Sequence, residues 1–164
     1  MVIVGRPRGF DEEMVTAEAA ALFAMRAYDG VGVDDLVQHL GVHRNSLYKT
    51  FGSKRGLYLT ALRWHISQVL EPLIDRLRSG RDTEQFFDDV IRKGGLDLLL
   101  LAAVERAPVD AEVAAVVTRA LQVLEQALDD VPIPLPGRTT GITVSELLGE
   151  RLRVRVMSAH AKTG

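Results

Sequence analysis

Apolar residues recur at three- and four-residue spacing along most of this chain, a pattern that predicts helices from end to end. From about Asp11 to Arg26, Val15, Ala19, Leu22 and Phe23 share one face. A shorter stripe follows in Val33, Leu36, Val37 and Leu40. Asp34 and Asp35 fall in its first turn, where carboxylates favour the positive end of the helix dipole. Gly41 suits the positive φ of a tight turn, and Val42 supplies the apolar contact beyond it. The next helix, about Arg44 to Thr50, is anchored by Leu47 and Phe51. Ser53 then caps a long helix to about Arg78, through Leu57, Ala61, Trp64, Ile66 and Leu70, with Pro72 placed to kink it.

Beyond Ser79-Gly80 the predicted helices run from a Thr83 cap to Arg92 and, after the Gly94-Gly95 break, from Leu96 to Arg106. Asp110 starts another to Leu128, with Val113, Val117, Leu121, Leu124 and Leu128 in one stripe. The prolines of Val131-Pro132-Ile133-Pro134-Leu135-Pro136-Gly137 require an extended linker. In the last segment, Thr143 to about Ala159, Val144, Leu147, Leu148 and Leu152 favour a helix. Arg151-Leu152-Arg153-Val154-Arg155-Val156 alternates like an edge strand; helix is the expectation.

Composition supports an all-α reading. The 164 residues are 47% apolar with 5% aromatic, which fits helix packing by Leu, Val and Ala and gives room for one domain or a small domain plus a second. The absence of cysteine excludes disulfides, thiolate metal sites and thiol redox sensing. Met1 to Gly9 is basic but no apolar stretch follows it, and Leu96 to Val104 contains Asp97 and is too short to span a bilayer. A cytoplasmic protein with no membrane partner is expected.

Charge changes the picture. Acids outnumber bases by 22 to 20 over the whole chain, yet Leu36 to Leu70 holds no Asp or Glu. The same stretch carries Arg44, Lys49, Lys54, Arg55 and Arg63, the footprint of a polyanion binder. At 100° per residue, Arg44, Asn45, Tyr48 and Lys49 project opposite Leu47 and Phe51, offering the donors that base edges and phosphates accept. Helix, glycine turn and polar-faced second helix make a helix-turn-helix. Lys54 and Arg55 stand in the first turn of the following helix, against the dipole. A phosphate held there by both cations and free N–H groups would remove the conflict.

Gly30-Val31-Gly32-Val33-Asp34-Asp35-Leu36, Gly41-Val42-His43-Arg44-Asn45-Ser46-Leu47-Tyr48-Lys49-Thr50-Phe51 and Gly52-Ser53-Lys54-Arg55-Gly56-Leu57 together resemble the DNA-binding domain of the TetR family of bacterial transcriptional regulators. Gly5-Arg6-Pro7-Arg8-Gly9-Phe10 resembles the basic arm ahead of its first helix. The resemblance implies a three-helix DNA-binding domain over residues 1–56 and a helical dimerisation and effector-binding domain over 57–164. It implies that Arg44, Asn45, Ser46 and Lys49 face bases or backbone of double-stranded operator DNA, that Tyr48 and Lys54 hold phosphates, and that Arg6 and Arg8 lie in the arm. Val31 and Gly32 depart from it, standing where hydroxyl residues are common. His43, in place of the usual Ser, Thr or Asn, either caps the recognition helix or reaches the DNA.

The family would dimerise through its last two helices, here by Val117, Leu121, Leu124, Leu128, Leu148 and Leu152; the same stripes could instead close the chain's own core. An effector site of unknown ligand is expected from Tyr58, Trp64, Phe86, Leu98 and Leu101, with His65, Gln68 or Arg92 orienting a polar group. Gly41 interrupts the helix between His39 and His43, so no metal site is expected, nor any cofactor. No nucleophile, paired carboxylates or phosphate loop can be assembled, so an enzyme is not expected. The expected function is that of a homodimeric repressor released by a small molecule. A helical dimeric interaction module with a degenerate DNA-binding domain, or a small-molecule-modifying enzyme, remains as an alternative.

Overall fold

Asp11 accepts hydrogen bonds from the N–H groups of Glu13 and Met14 at 2.9 and 3.2 Å, and this cap starts α1 (Glu12–Arg26). In the computed structural model, which describes residues 10–80, 82–131 and 141–160, α2 (Val33–Leu40) and α3 (Arg44–Phe51) follow. Ser53 then accepts from the Gly56 N–H at 3.0 Å and opens α4 (Lys54–His65). Among the described residues the fold is all-α, without a strand.

The long helix predicted to Arg78 is one rod in three parts. After α4 the backbone widens into a π-type turn, Ile66–Leu70, then tightens again as α5 (Glu71–Arg78). Pro72 lies just past this turn, where its missing N–H and its ring are easiest to accommodate. Two more such turns occur: Asp88–Arg92 extends α6 (Thr83–Phe87), and Ala102–Arg106 extends α7 (Asp97–Leu101). Thr83 is the first helical residue and not the cap; Asp82, at φ +56°, occupies the cap position without a side-chain hydrogen bond.

Asp110 caps α8 (Ala111–Asp130) by accepting from Glu112 and Val113, and α9 (Val144–His160) shows that the last segment is helical. The expected basic arm with Arg6 and Arg8, and residues 132–137 of the expected linker, lie outside the described residues.

α1 lies along α4 and also meets α7; α8 packs on α5, and α9 on α8 and the Asp88–Arg92 turn. One continuous apolar cluster runs from Val15 and Phe23 through Leu57 and Leu98 to Leu124 and Leu147. This placement bears on the expected dimer stripe. Val117, Leu124 and Leu128 are buried against the chain's own helices, Leu121 and Leu148 are half-buried, and Leu152 is exposed.

Candidate nucleic-acid interface

The α2–α3 turn is set by Gly41 at φ +62°. Nothing lies within 4 Å of where a Cβ would stand, so the left-handed backbone alone favours glycine there. Val42 is buried beneath the turn. His43 takes the N-cap position of α3, but its exposed imidazole makes no capping bond, which removes one of its two expected roles. Leu47 is buried on the inner side of α3. On the outer side Arg44, Asn45, Tyr48 and Lys49 are exposed and Ser46 is half-buried.

Its surroundings are partly engaged. Arg44 pairs with Asp34 of α2, an exposed pair of the kind that contributes little and yields readily to a phosphate. Gly32 has no side chain to cap α2, but its N–H donates to the Asp35 carboxylate at 2.7 Å, a bond that lowers the Asp35 pKa, with Arg26 assisting. Val31 is fully buried in the core, so this position offers nothing to DNA.

The head of α4 differs from expectation. Arg55 donates from Nε and Nη2 to the Asp110 carboxylate at 2.7 and 2.9 Å, and Nη2 also reaches Glu112 at 3.0 Å. Arg63 donates to the same Glu112 at 2.7 Å. Carboxylates from the start of α8 thus supply the negative charge that a phosphate was expected to bring to Arg55. Arg55 holds the Asp110 carboxyl far below the usual carboxylate range, and that pair raises the guanidinium in turn. Lys54 is half-buried, with Nζ at 4.0 Å from the centre of the Tyr28 ring; burial pulls its pKa down.

Glu105, from the wide turn after α7, accepts from the N–H groups of Tyr28 and Asp29 at 2.7 and 2.9 Å. Arg106 lies 4.4 Å from the Tyr28 ring centre and 3.7 Å from Asp110. The α1–α2 loop and the head of α4 are therefore fastened to one acidic, charge-paired surface. A second fastening sits just before the loop, on the last turn of α1. Arg155 of α9 donates to the carbonyls of Ala24 and Met25, both at 2.8 Å, just before Ala27 at φ +61°. It also pairs at 2.9 Å with Asp97, which Arg151 holds at 2.5 and 2.6 Å. Gly94, at φ +84°, lets that pair close in: a Cβ there would stand 2.8 Å from the Asp97 carboxylate.

The expected effector residues do not come together. Trp64 and His65 line a cleft of about 660 Å³ with α1 and α9. Tyr58 instead closes an aromatic cluster with Phe23 and Tyr28, at 5.0 and 4.9 Å between ring centres, and burial pushes its hydroxyl pKa up. Phe86 and Leu98 are buried in the core, and Leu101, Gln68 and Arg92 stand away from this cleft. His65 is nearly buried; desolvation lowers its pKa, and its neutral ring donates from Nε2 to the Gly95 carbonyl at 3.0 Å. Glu105, Asp97 and Arg155 find partners far away in sequence, which local spacing does not reveal. Asp110 was recognised only as a cap.

The sequence has known counterparts. Residues 15–61 match the model described as bacterial regulatory proteins, tetR family. The chain is 30% identical over 134 residues to an uncharacterized HTH-type transcriptional regulator, YezE, of Bacillus subtilis (strain 168), covering 76% of this chain and 69% of that one. It is 34% identical over 91 residues to the HTH-type transcriptional repressor BdcR of Escherichia coli (strain K12), covering 56% of this chain and 46% of the other. Against the HTH-type transcriptional activator FasR of Mycolicibacterium smegmatis the identity is 30% over 79 residues, 48% of this chain and 36% of the other. No described helix is long and apolar enough to cross a membrane.

Proposed function

Because this chain belongs to the TetR family of bacterial regulatory proteins and is a DNA-binding transcriptional regulator, we propose that it binds double-stranded operator DNA as a homodimer, acts as a repressor and is released by a small-molecule effector. The observation that carries DNA reading is the outer face of α3, where Arg44, Asn45, Tyr48 and Lys49 are exposed over a buried Leu47. Long donors, an amide and a phenol on one short, rigid helix are the groups that read base edges and grip phosphates. His43, Ser46 and Lys54 flank this face, and Arg6 and Arg8 are assigned to the arm.

In this reading residues 1–56 read DNA and residues 57–164 dimerise and sense. One recognition helix touches too few base pairs for useful specificity, which is the warrant for a two-fold dimer. The exposed side of α9, with Leu152 and Val156 one turn apart and Leu148 a turn earlier, is the apolar surface available for it. Effector control would be a population shift, transmitted where Glu105 holds the α1–α2 loop and Asp110 holds Arg55.

The test is fluorescence anisotropy on a duplex that the protein itself selects from a random pool. Affinity should fall steeply between about 50 and 200 mM salt, with a log–log slope of about −0.9 for each phosphate neutralised. Salt-independent binding, or a monomer at micromolar concentration in analytical ultracentrifugation, defeats the reading.

A further inference from the structure

The cleft holding Trp64 is built unevenly. Along one wall α1 offers four alanines, Ala17, Ala20, Ala21 and Ala24, with Met25 at its end, and the other apolar lining is Trp64, Val69 and Ala159. At about 660 Å³ it falls within the size range of small-molecule sites, and its walls are largely apolar. Its charges do not cancel. Arg151 is spent on Asp97 and on the Ile91 and Arg92 carbonyls, with 9% of its side chain exposed. Lys93, at the rim, is engaged by Asp88 and Asp89 at 3.2 and 2.8 Å. His65 is neutral. That leaves Arg155, whose contacts are one already-neutralised carboxylate and two backbone carbonyls. A guanidinium has five N–H donors. Nε and the second Nη2 hydrogen of Arg155 have no recorded partner among the described residues.

An apolar cleft with one surplus cation selects its ligand by both properties, since a charge acts more strongly where water is scarce. We propose that this cleft between α1, α4 and α9 binds a small amphiphilic organic anion, with its apolar body between the α1 alanines and Trp64 and its acidic head on Arg155. The proposal names the ligand class of the effector and, for its consequence on DNA, rests on the regulator reading above. Arg155 holds the last carbonyls of α1, next to the loop that Glu105 clamps, so an anion drawing on this guanidinium loosens α1 at the point where it leads into α2.

Trp64 is the single tryptophan of the chain, so its emission reports on this place alone. The whole protein, without DNA, is titrated with decanoate and with decyltrimethylammonium below their micelle-forming concentrations. Decanoate should change Trp64 emission saturably, and the cation of equal chain length should bind at least tenfold more weakly. Arg155→Gln should weaken decanoate tenfold or more, whereas Arg155→Lys should retain most of the affinity. Ala21→Leu, at an exposed position of α1 that lines the cleft, should abolish the response while leaving the thermal midpoint in place. Equal binding of both amphiphiles, or decanoate binding that survives Ala21→Leu, overturns the proposal. If Arg155→Gln fails to fold, the Ala21→Leu comparison still decides. No duplex is present in this titration, so its failure and a failure of operator binding are read separately.

Discussion

Lys49 and Arg55 belong to the same acid-free run of cations, yet the fold puts them to opposite uses. Lys49 projects from α3 into solvent with no ion pair among the described residues. Arg55, one helix later, is gripped by Asp110 and Glu112 from the start of α8. The basic patch is therefore two surfaces, one left open to solvent and one used to fasten the helix-turn-helix to the rest of the chain. A patch of like charge in a sequence measures neither use; only the distribution of partner carboxylates does.

The sharpest break would come from the open half. Asn45→Ala combined with Lys49→Ala should lower affinity for the selected operator about a hundredfold, taking roughly 1–3 kcal/mol for each good base contact, with the thermal midpoint unmoved. Anisotropy and differential scanning calorimetry on the same samples check this. A drop in melting temperature with full DNA affinity would merge the two surfaces into one.

Arg55→Ala should show the reverse pattern at smaller amplitude. Melting temperature should fall by a few degrees while the salt slope of DNA binding stays as in the wild type, because Arg55 neutralises a carboxylate and not a phosphate. A slope reduced by about 1 per chain with unchanged melting would place Arg55 beside Lys49.

The smallest effect is acid dependence, and at Asp110 it probes the fastened half. The Asp110 carboxyl titrates well below its unfolded value, so its contribution is complete above about pH 4 and disappears as pH falls from there towards the lowered folded value. Urea midpoints followed down from pH 5 should decline less steeply in Asp110→Asn than in the wild type. Parallel curves would remove Asp110 from the fastening.

What could be read from the chain was local. Asp11, Ser53 and Asp110 announce their helices because a cap acts over three residues, and Gly41 announces its turn because few residues take positive φ cheaply. The polar face of α3 followed from helical periodicity. Glu105 on the N–H groups of Tyr28 and Asp29, and Arg155 on Ala24 and Met25, join distant segments and leave no periodic trace. The α8 stripe was visible, but periodicity says only that a face is buried. It took the fold to show Val117, Leu124 and Leu128 against their own chain. Likewise Pro72 signalled an irregularity, but not the wide turn that absorbs it.

That wide turn, Ile66–Leu70, has a consequence for how this rod can be edited. A π-type turn is a helix carrying one residue more than its pitch requires, and one residue is about 100° of rotation. Because the wide turn absorbs that residue, removing it would restore an ordinary helix in which the stretch from Lys54 to His65 keeps its facing relative to α5. The buried side chains of α4 and α5 would keep their places in the core. Such a deletion should be tolerated, because the wide turn is where this rod can give back a residue without disturbing either of its ends.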